Sequence, residues 1–233
     1  MKTIWILLFS LLALSCKNPT ESPTIESSQE NTETENLSVA QRIANANGYE
    51  GWKDVSEIAF TFNVDRGEKH SGRSWIWKPK TGDVTMQTPT DTTIYNRSKM
   101  DSLEMTADAA FINDKYWLLA PFQIVWDANS ITLSEKQDVI APISRDTLNR
   151  LTVVYSDEGG YTPGDAYDFF YDEDYKIKEW NYRKGNSKEP ALTTTWEDYK
   201  DFNNIEIATK HRDSTGNFTL YFTNISVKKE GAD

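Results

Sequence analysis

The sequence predicts a mainly β fold of the α+β class: a single curved antiparallel sheet forming an incomplete barrel, covered by an N-terminal helix and a short helical middle segment. Three observations lead there. Apolar residues recur with period two in short runs over most of the chain, the mark of half-buried strands. Clusters of Gly, Asp, Asn and Pro separate those runs at regular spacing, as in an antiparallel meander. The stretch from Leu103 to Asp127 is apolar but does not alternate, and Ala107, Ala109 and Ala110 favour helix there. A sheet of roughly nine or ten strands must curl to hide its apolar face.

The elements follow in order. Ser38 and Gln41 form a capping box at the start of a helix that runs through Ile43 and Ala44 and stops at Asn47-Gly48. Trp52 and Val55 belong to a short helical turn. In the next run Ile58, Phe60, Phe62 and Val64 share one strand face. Asp65 to Glu68 is a turn, and His70 to Lys78 is a strand with Arg73, Trp75 and Trp77 on one face. Asp83 to Gln87 and Thr92 to Arg97 are shorter strands. From Leu103 to Asp127 one or two short helices are expected, broken at Pro121, that either cover an opening of the sheet or fill its core. Strands then resume with Leu151, Val153 and Tyr155 on one face, and with Tyr167, Phe169 and Tyr171 on another. Asp172 to Asp174 turns the chain into a strand bearing Trp180 and Tyr182. Leu192, Thr194 and Trp196 alternate next, then Ile205, Ile207 and Thr209, and finally Phe218, Leu220 and Phe222.

The N-terminus carries a different message. Lys2 precedes an apolar run from Ile4 to Leu14. The run is too short to span a bilayer, which takes about 20 residues. A positive charge, a short apolar core and small residues at Ala13 and Ser15 make a secretory signal. Cys16, the only Cys of 233 residues, stands at the signal boundary. A lone Cys in a secreted chain has no intramolecular partner, and lipidation at this position explains it. Ordinary cleavage after Ala13-x-Ser15 is the other reading. Residues 17–36 are rich in Ser, Thr, Glu, Asn and Pro and too polar to pack, so they read as a flexible tether. The expected organisation is therefore a signal peptide at 1–15, a lipidated Cys and tether at 16–36, and one domain at 37–233.

Net charge is −11 and the isoelectric point about 4.8, which argues against nucleic acid and against anionic headgroups as partners. His70 and His211 offer no metal spacing and no hydrolase elbow accompanies them, so no cofactor, metal or catalytic residue is expected. His211, flanked by Lys210 and Arg212, reads as a surface strand end. Asp165, Asp168, Asp172, Glu173 and Asp174 lack calcium-loop spacing and read as a solvated turn. Aromatic residues make up 12% of the chain, eight of them Trp, a heavy apolar load for so polar a sequence. Phe60, Phe62, Trp75, Trp77, Met86, Trp117, Leu118, Trp180 and Tyr182 are the candidates to line a cavity. A filled core accounts for the same pattern.

Ser71 to Pro79, with Trp75, Trp77 and Pro79, resembles a strand of the LolA/LolB-like lipoprotein-carrier superfamily. The N-terminal helix with Gly48 and Trp52, the run Phe111 to Pro121, and the stretch from Ile205 to Val227 resemble uncharacterised bacterial lipoproteins of that kind. The resemblance implies an incomplete barrel capped by helices around an apolar cavity. It implies a lipid or acyl-chain ligand and a place in the Gram-negative envelope, at the outer membrane. The chain departs from the carriers after Pro79, where Lys80-Thr81-Gly82-Asp83-Val84 holds no Arg. The expected protein is thus a non-enzymatic envelope lipoprotein that binds an apolar or lipid-like ligand. The alternative is a structural or sensing module that binds another envelope protein. Cys16→Ser is expected to abolish incorporation of a clickable fatty acid and to move the protein to the soluble fraction. Membrane retention without label overturns the anchor.

Overall fold

Twelve strands and two α-helices account for most of residues 37–158 and 160–231, which are the residues described by a computed structural model. The expected signal peptide, Cys16 and the tether lie outside the described residues. Helix α1 (Val39–Ala46) starts at the expected capping box. The Gln41 N–H donates to Ser38 Oγ, and the Ser38 N–H donates to Gln41 Oε1 at 2.9 Å. It buries Ala40, Ile43 and Ala44 and ends at Asn47. Gly48 follows with φ +87°, and a Cβ there would come within 2.2 Å of the Asn204 carbonyl oxygen. Only Gly tolerates both the left-handed turn and that approach. Lys176 ties the same helix end down, donating to the Ala46 carbonyl and pairing with Glu206.

The meander is as the period-two pattern predicts. Strands β1 (Val55–Arg66), β2 (Lys69–Lys78), β3 (Asp83–Gln87) and β4 (Thr92–Asn96) pair in sequence. After helix α2 (Ser102–Trp126) come β5 (Ile131–Ile140), β6 (Thr147–Tyr155), β7 (Ala166–Tyr171), β8 (Ile177–Arg183) and β9 (Leu192–Thr195). The chain closes with β10 (Glu197–Asp201), β11 (Glu206–Arg212) and β12 (Phe218–Lys229). Two antiparallel sheets result, with orders β10-β11-β12-β1-β2-β3-β4 and β5-β6-β7-β8-β9. The expected single sheet is thus divided, and the division falls within one bent stretch. Residues 192–195 pair with β8, residues 197–201 pair with β11, and Trp196 sits at the bend. The Trp196 N–H still donates to the Lys178 carbonyl at 2.7 Å, and the Arg212 N–H donates to Thr195 Oγ1 at 3.0 Å. Neither sheet closes on itself, so the wrap is an incomplete barrel whose outer edges are β4 and β5.

Helix α2 is broken near Pro121 as expected, and it fills the core rather than covering an opening of the sheet. Two helical stretches run together over its 25 residues, with a kink where Leu119 takes φ −127° and ψ 25°. Pro121 is the cause: it has no N–H for the Trp117 carbonyl, and its ring crowds that carbonyl. Residues 114–122 are all buried. A run of that length covers every side of a helix, so α2 is an axial core element. Phe111 packs on Trp75 and Trp77 of β2 at 5.3 and 5.5 Å between ring centroids. Tyr116 packs on Tyr167 of β7 at 4.7 Å, and Trp117 on Trp180 of β8 at 4.3 Å. Both sheets therefore close on the same helix.

Two buried carboxylates fix it. Asp114 accepts two hydrogen bonds from the Arg73 guanidinium at 2.6 and 2.7 Å and a third from Trp75 Nε1 at 2.8 Å. The hydrogen bonds to Asp114 raise the Arg73 pKa against the opposing effect of burial. Asp108 accepts from Arg97 Nε at 2.8 Å and from the Tyr95 hydroxyl at 3.1 Å. Asp114→Asn keeps the shape of the site and removes its charge. Breaking a buried ion pair from one side typically costs about 3–5 kcal/mol. Arg73 is 32% exposed, which lowers the expected loss to about 2–3 kcal/mol in urea unfolding. A loss below about 1 kcal/mol, the scale of an ordinary hydrogen bond, means that this clamp does not hold α2.

Candidate functional site

Between the two sheets, along one side of α2, runs a cleft of about 940 Å³. That is the upper end of the size range of small-molecule sites, about 300–1,000 Å³. Phe62, Val64 and Arg66 of β1 and Phe218 and Leu220 of β12 form one wall. Tyr155 of β6, Tyr167 of β7, and Trp180 and Tyr182 of β8 form the other. Ala109, Ile112, Lys115, Tyr116 and Trp117 of α2 form the floor. The second wall is a continuous aromatic surface, with Tyr167 5.2 Å from Trp180 and 5.3 Å from Tyr182 between ring centroids. Such rings are large and stiff, so they present a preformed apolar face.

The polar groups of the cleft are mostly engaged. The Tyr155 hydroxyl donates to Asp127 and the Tyr182 hydroxyl to Asp165, both at 2.8 Å. Burial raises the pKa of Tyr116, Tyr155 and Tyr167. Burial, with Asp165 beside it, pushes Tyr182 up to about 12. These phenols stay protonated at neutral pH. Arg66 lies over the Phe218 ring at 4.8 Å. Lys115 is 5% exposed and lies 5.4 Å from the Trp77 ring and 5.3 Å from the Trp126 ring. It donates to Gln123 Oε1 at 2.8 Å.

A loop crosses the cleft. Residues 156–164 join β6 to β7, and Glu158, Gly160, Tyr161 and Thr162 line the opening. The base is closed by hydrogen bonds from the Ser156 N–H to the Ser130 carbonyl and from the Gly164 N–H to the Ser156 carbonyl. The tip reaches α2, where the Tyr161 hydroxyl donates to Asp108 Oδ2 at 2.7 Å. This strap latches one sheet to the carboxylate that holds the other.

Of the residues singled out by sequence, Phe62, Trp117, Trp180 and Tyr182 lie on the cleft. Phe60, Trp75, Trp77 and Leu118 are buried elsewhere in the core, and Met86 packs against that core half-exposed. Trp75 and Trp77 do share the inward face of β2, but α2 covers that face through Phe111. Tyr116, Tyr155, Tyr167, Lys115 and the strap were not singled out. Tyr155 and Tyr167 stand on strand faces that the alternation identifies, and a single Lys inside an apolar helix is itself a signal.

Two further expectations need correction. His211 is fully buried, packed edge-on against Trp196 at 4.6 Å and Trp117 at 5.2 Å between ring centroids, and does not line the cleft. Alternation along β11 turns it inward with Ile207 and Thr209 while Lys210 and Arg212 turn outward. Burial holds its pKa down to about 3, so it is neutral. Asp165 and Asp168 are buried rather than part of a solvated turn. Asp168 pairs with Arg183 at 2.9 Å and accepts from Thr152 Oγ1 at 2.6 Å. Among the described residues no group of three or more His, Cys, Asp or Glu could hold a metal ion. No described helix is long and apolar enough to cross a membrane.

The strap is open to a direct test. Tyr161 is 45% exposed, so Tyr161→Phe is expected to cost about 1 kcal/mol or less. Hydrogen exchange of amides 156–164 is expected to speed up while that of β7 stays slow. Unchanged exchange in the loop shows that the latch does not hold it.

No protein-family model matches the chain, and no curated protein matches it. Several solved structures are similar to it in fold. A DUF1329 family protein from Desulfovibrio piger aligns at 10% identity over 84% of this chain and 92% of that one, with a TM-score of 0.48. A LolA superfamily protein from Nitrosomonas europaea aligns at 9% identity over 83% and 95%, with a TM-score of 0.49. A domain named for outer membrane lipoprotein sorting, from Vibrio parahaemolyticus, aligns at 10% identity over 84% and 92%, with a TM-score of 0.44. At these identities and scores the likeness is one of fold alone, and no functional argument passes from those proteins to this chain.

Proposed function

We propose that this protein binds the apolar chain of a lipid-like ligand in the cleft along α2, and does so from a bacterial envelope membrane to which Cys16 anchors it. The observation that carries the reading is the aromatic wall of β6, β7 and β8 facing the apolar residues of β1 and β12 across about 940 Å³. Tyr116, Tyr167 and Trp180 offer faces of fixed geometry, so a chain entering between them meets a surface that needs little reordering. Burying about 300 Å² of an acyl chain at about 25 cal/mol per Å² gains roughly 7 kcal/mol before ordering costs. That supports micromolar-scale binding in a preformed site. Lipidation of Cys16 keeps such a domain beside a source of the ligand.

A second reading has its own observation. Ile94, Leu103 and Met105 are 70%, 80% and 55% exposed at the β4 edge and the start of α2. An exposed apolar cluster of that kind serves a module that binds another envelope protein.

Titration of the purified protein with dodecanol decides between them. Saturable change in Trp fluorescence is expected, because Trp117 and Trp180 line the cleft. Ala109→Trp, which fills the cleft from an exposed position of α2, is expected to weaken binding at least tenfold without lowering the melting temperature. Trp77→Ala, outside the cleft, is expected to lower the melting temperature by removing core packing. Absence of a saturable response in the unmodified protein sinks the lipid-cleft reading.

A further inference from the structure

We infer that the ligand of this cleft is an anionic amphiphile, an alkyl or acyl chain with one carboxylate or phosphate head, and that Lys115 receives the head. The inference rests on the lipid-cleft reading and narrows its ligand class. It starts from how charge is balanced around α2. Asp114 is buried and is matched by Arg73, and Asp108 is buried and is matched by Arg97. Lys115 is buried on the same helix and lines the cleft. Among the described residues no carboxylate lies within ion-pair distance of its ammonium group.

Gln123 takes one of its three N–H donors, and the Trp77 and Trp126 rings take part of its charge through their faces. Those contacts hold the ammonium group in place. They do not supply the opposite charge that a buried ion otherwise requires. The groups that act on Lys115 are Gln123, Trp126, Asp127 and Asp108 on α2 and its end, Arg97 after β4, and Trp77 of β2. Burial is the largest influence and brings Lys115 down to about 8, so it stays mostly charged at neutral pH. An incoming acid completes the pair, and its chain then runs along the aromatic wall by Tyr116 and Trp117.

Three ligands with the same twelve-carbon tail test this on the whole protein: dodecanoate, monododecyl phosphate and dodecanol. Both anions are expected to bind at least tenfold more tightly than dodecanol at neutral pH, and the tighter of the two identifies the head. Inorganic phosphate and acetate at millimolar concentration are expected not to displace either, because the tail carries most of the contact. Lys115→Met is expected to bring both anions down to the affinity of dodecanol, whereas Lys115→Arg retains a preference. Should Lys115→Met fail to fold, the unmodified protein gives the same answer through pH. Its preference for dodecanoate over dodecanol is expected below about pH 8 and fades as pH rises through that value, where Lys115 loses its proton. Equal binding of acid and alcohol, or a preference that does not change through pH 8, overturns the role of Lys115 and leaves the lipid cleft standing. Failure of all three ligands to bind saturably overturns the cleft reading itself.

Discussion

A helix that is buried around its whole circumference cannot lie at a surface, and α2 is such a helix from Asp114 to Phe122. It has to be surrounded, and the rest of the fold is the arrangement that surrounds it. The β1–β4 meander covers the side that carries Phe111. The β6–β8 strands cover the side that carries Tyr116, and the bend at Trp196 lets the wall turn from one to the other. The barrel stays incomplete for the same reason. Its free edges β4 and β5 are the strands immediately before and after α2, and a helix stands in the chain where strand pairing would close the ring.

Apolar burial alone does not say how such a helix is rotated. With every face equally greasy, many rotations bury similar area. The charged residues remove that freedom. Across to the sheets Asp114 pairs with Arg73 and Trp75 of β2, and Asp108 with Arg97, Tyr95 and the strap tyrosine Tyr161. A wrong rotation leaves two carboxylates buried without partners, which costs several kcal/mol each. The ion pairs act here mainly as a registration device, since their net gain over an apolar contact is small. The cleft exists because that register turns Ala109, Ile112 and Tyr116 toward the gap between the sheets.

Strands with one wet and one dry face were legible in the sequence. In β1 the buried positions Ile58, Phe60 and Phe62 alternate as the period-two rule requires, and the capping box at Ser38 and the break at Pro121 follow from local chemistry. Strand β5 was not legible. Almost all of its residues are exposed, so it carries no apolar face to read. It manages its open edge with Glu135, Lys136 and a register shift near Asp138, whose φ is +51°. The sequence left open whether α2 covers the sheet or fills the core, because a helix buried on all sides has no periodic stripe. The cleft was half legible. Alternation identifies which faces turn inward, as for Trp180 and Tyr182, but not which inward faces the helix then covers, as for Trp75 and Trp77.

Rigidity decides what the cleft can bind. Apolar contact is converted to affinity only after the cost of ordering both partners, and that cost is least where the protein is already ordered. Both walls are strands, their rings are fixed by neighbouring rings, and the floor is a helix held by two buried ion pairs. The strap is different. Its described residues turn through Gly160 and Gly164 with positive φ, and Tyr161 hydrogen-bonds α2 at Asp108. Opening it therefore disturbs little of the core, while opening either wall breaks a sheet. Of the elements that line the cleft, the strap is the one whose opening breaks no strand pairing. Asp108, which holds that element, also fixes α2 through Arg97, so the strap is latched to the same helix that forms the floor of the cleft.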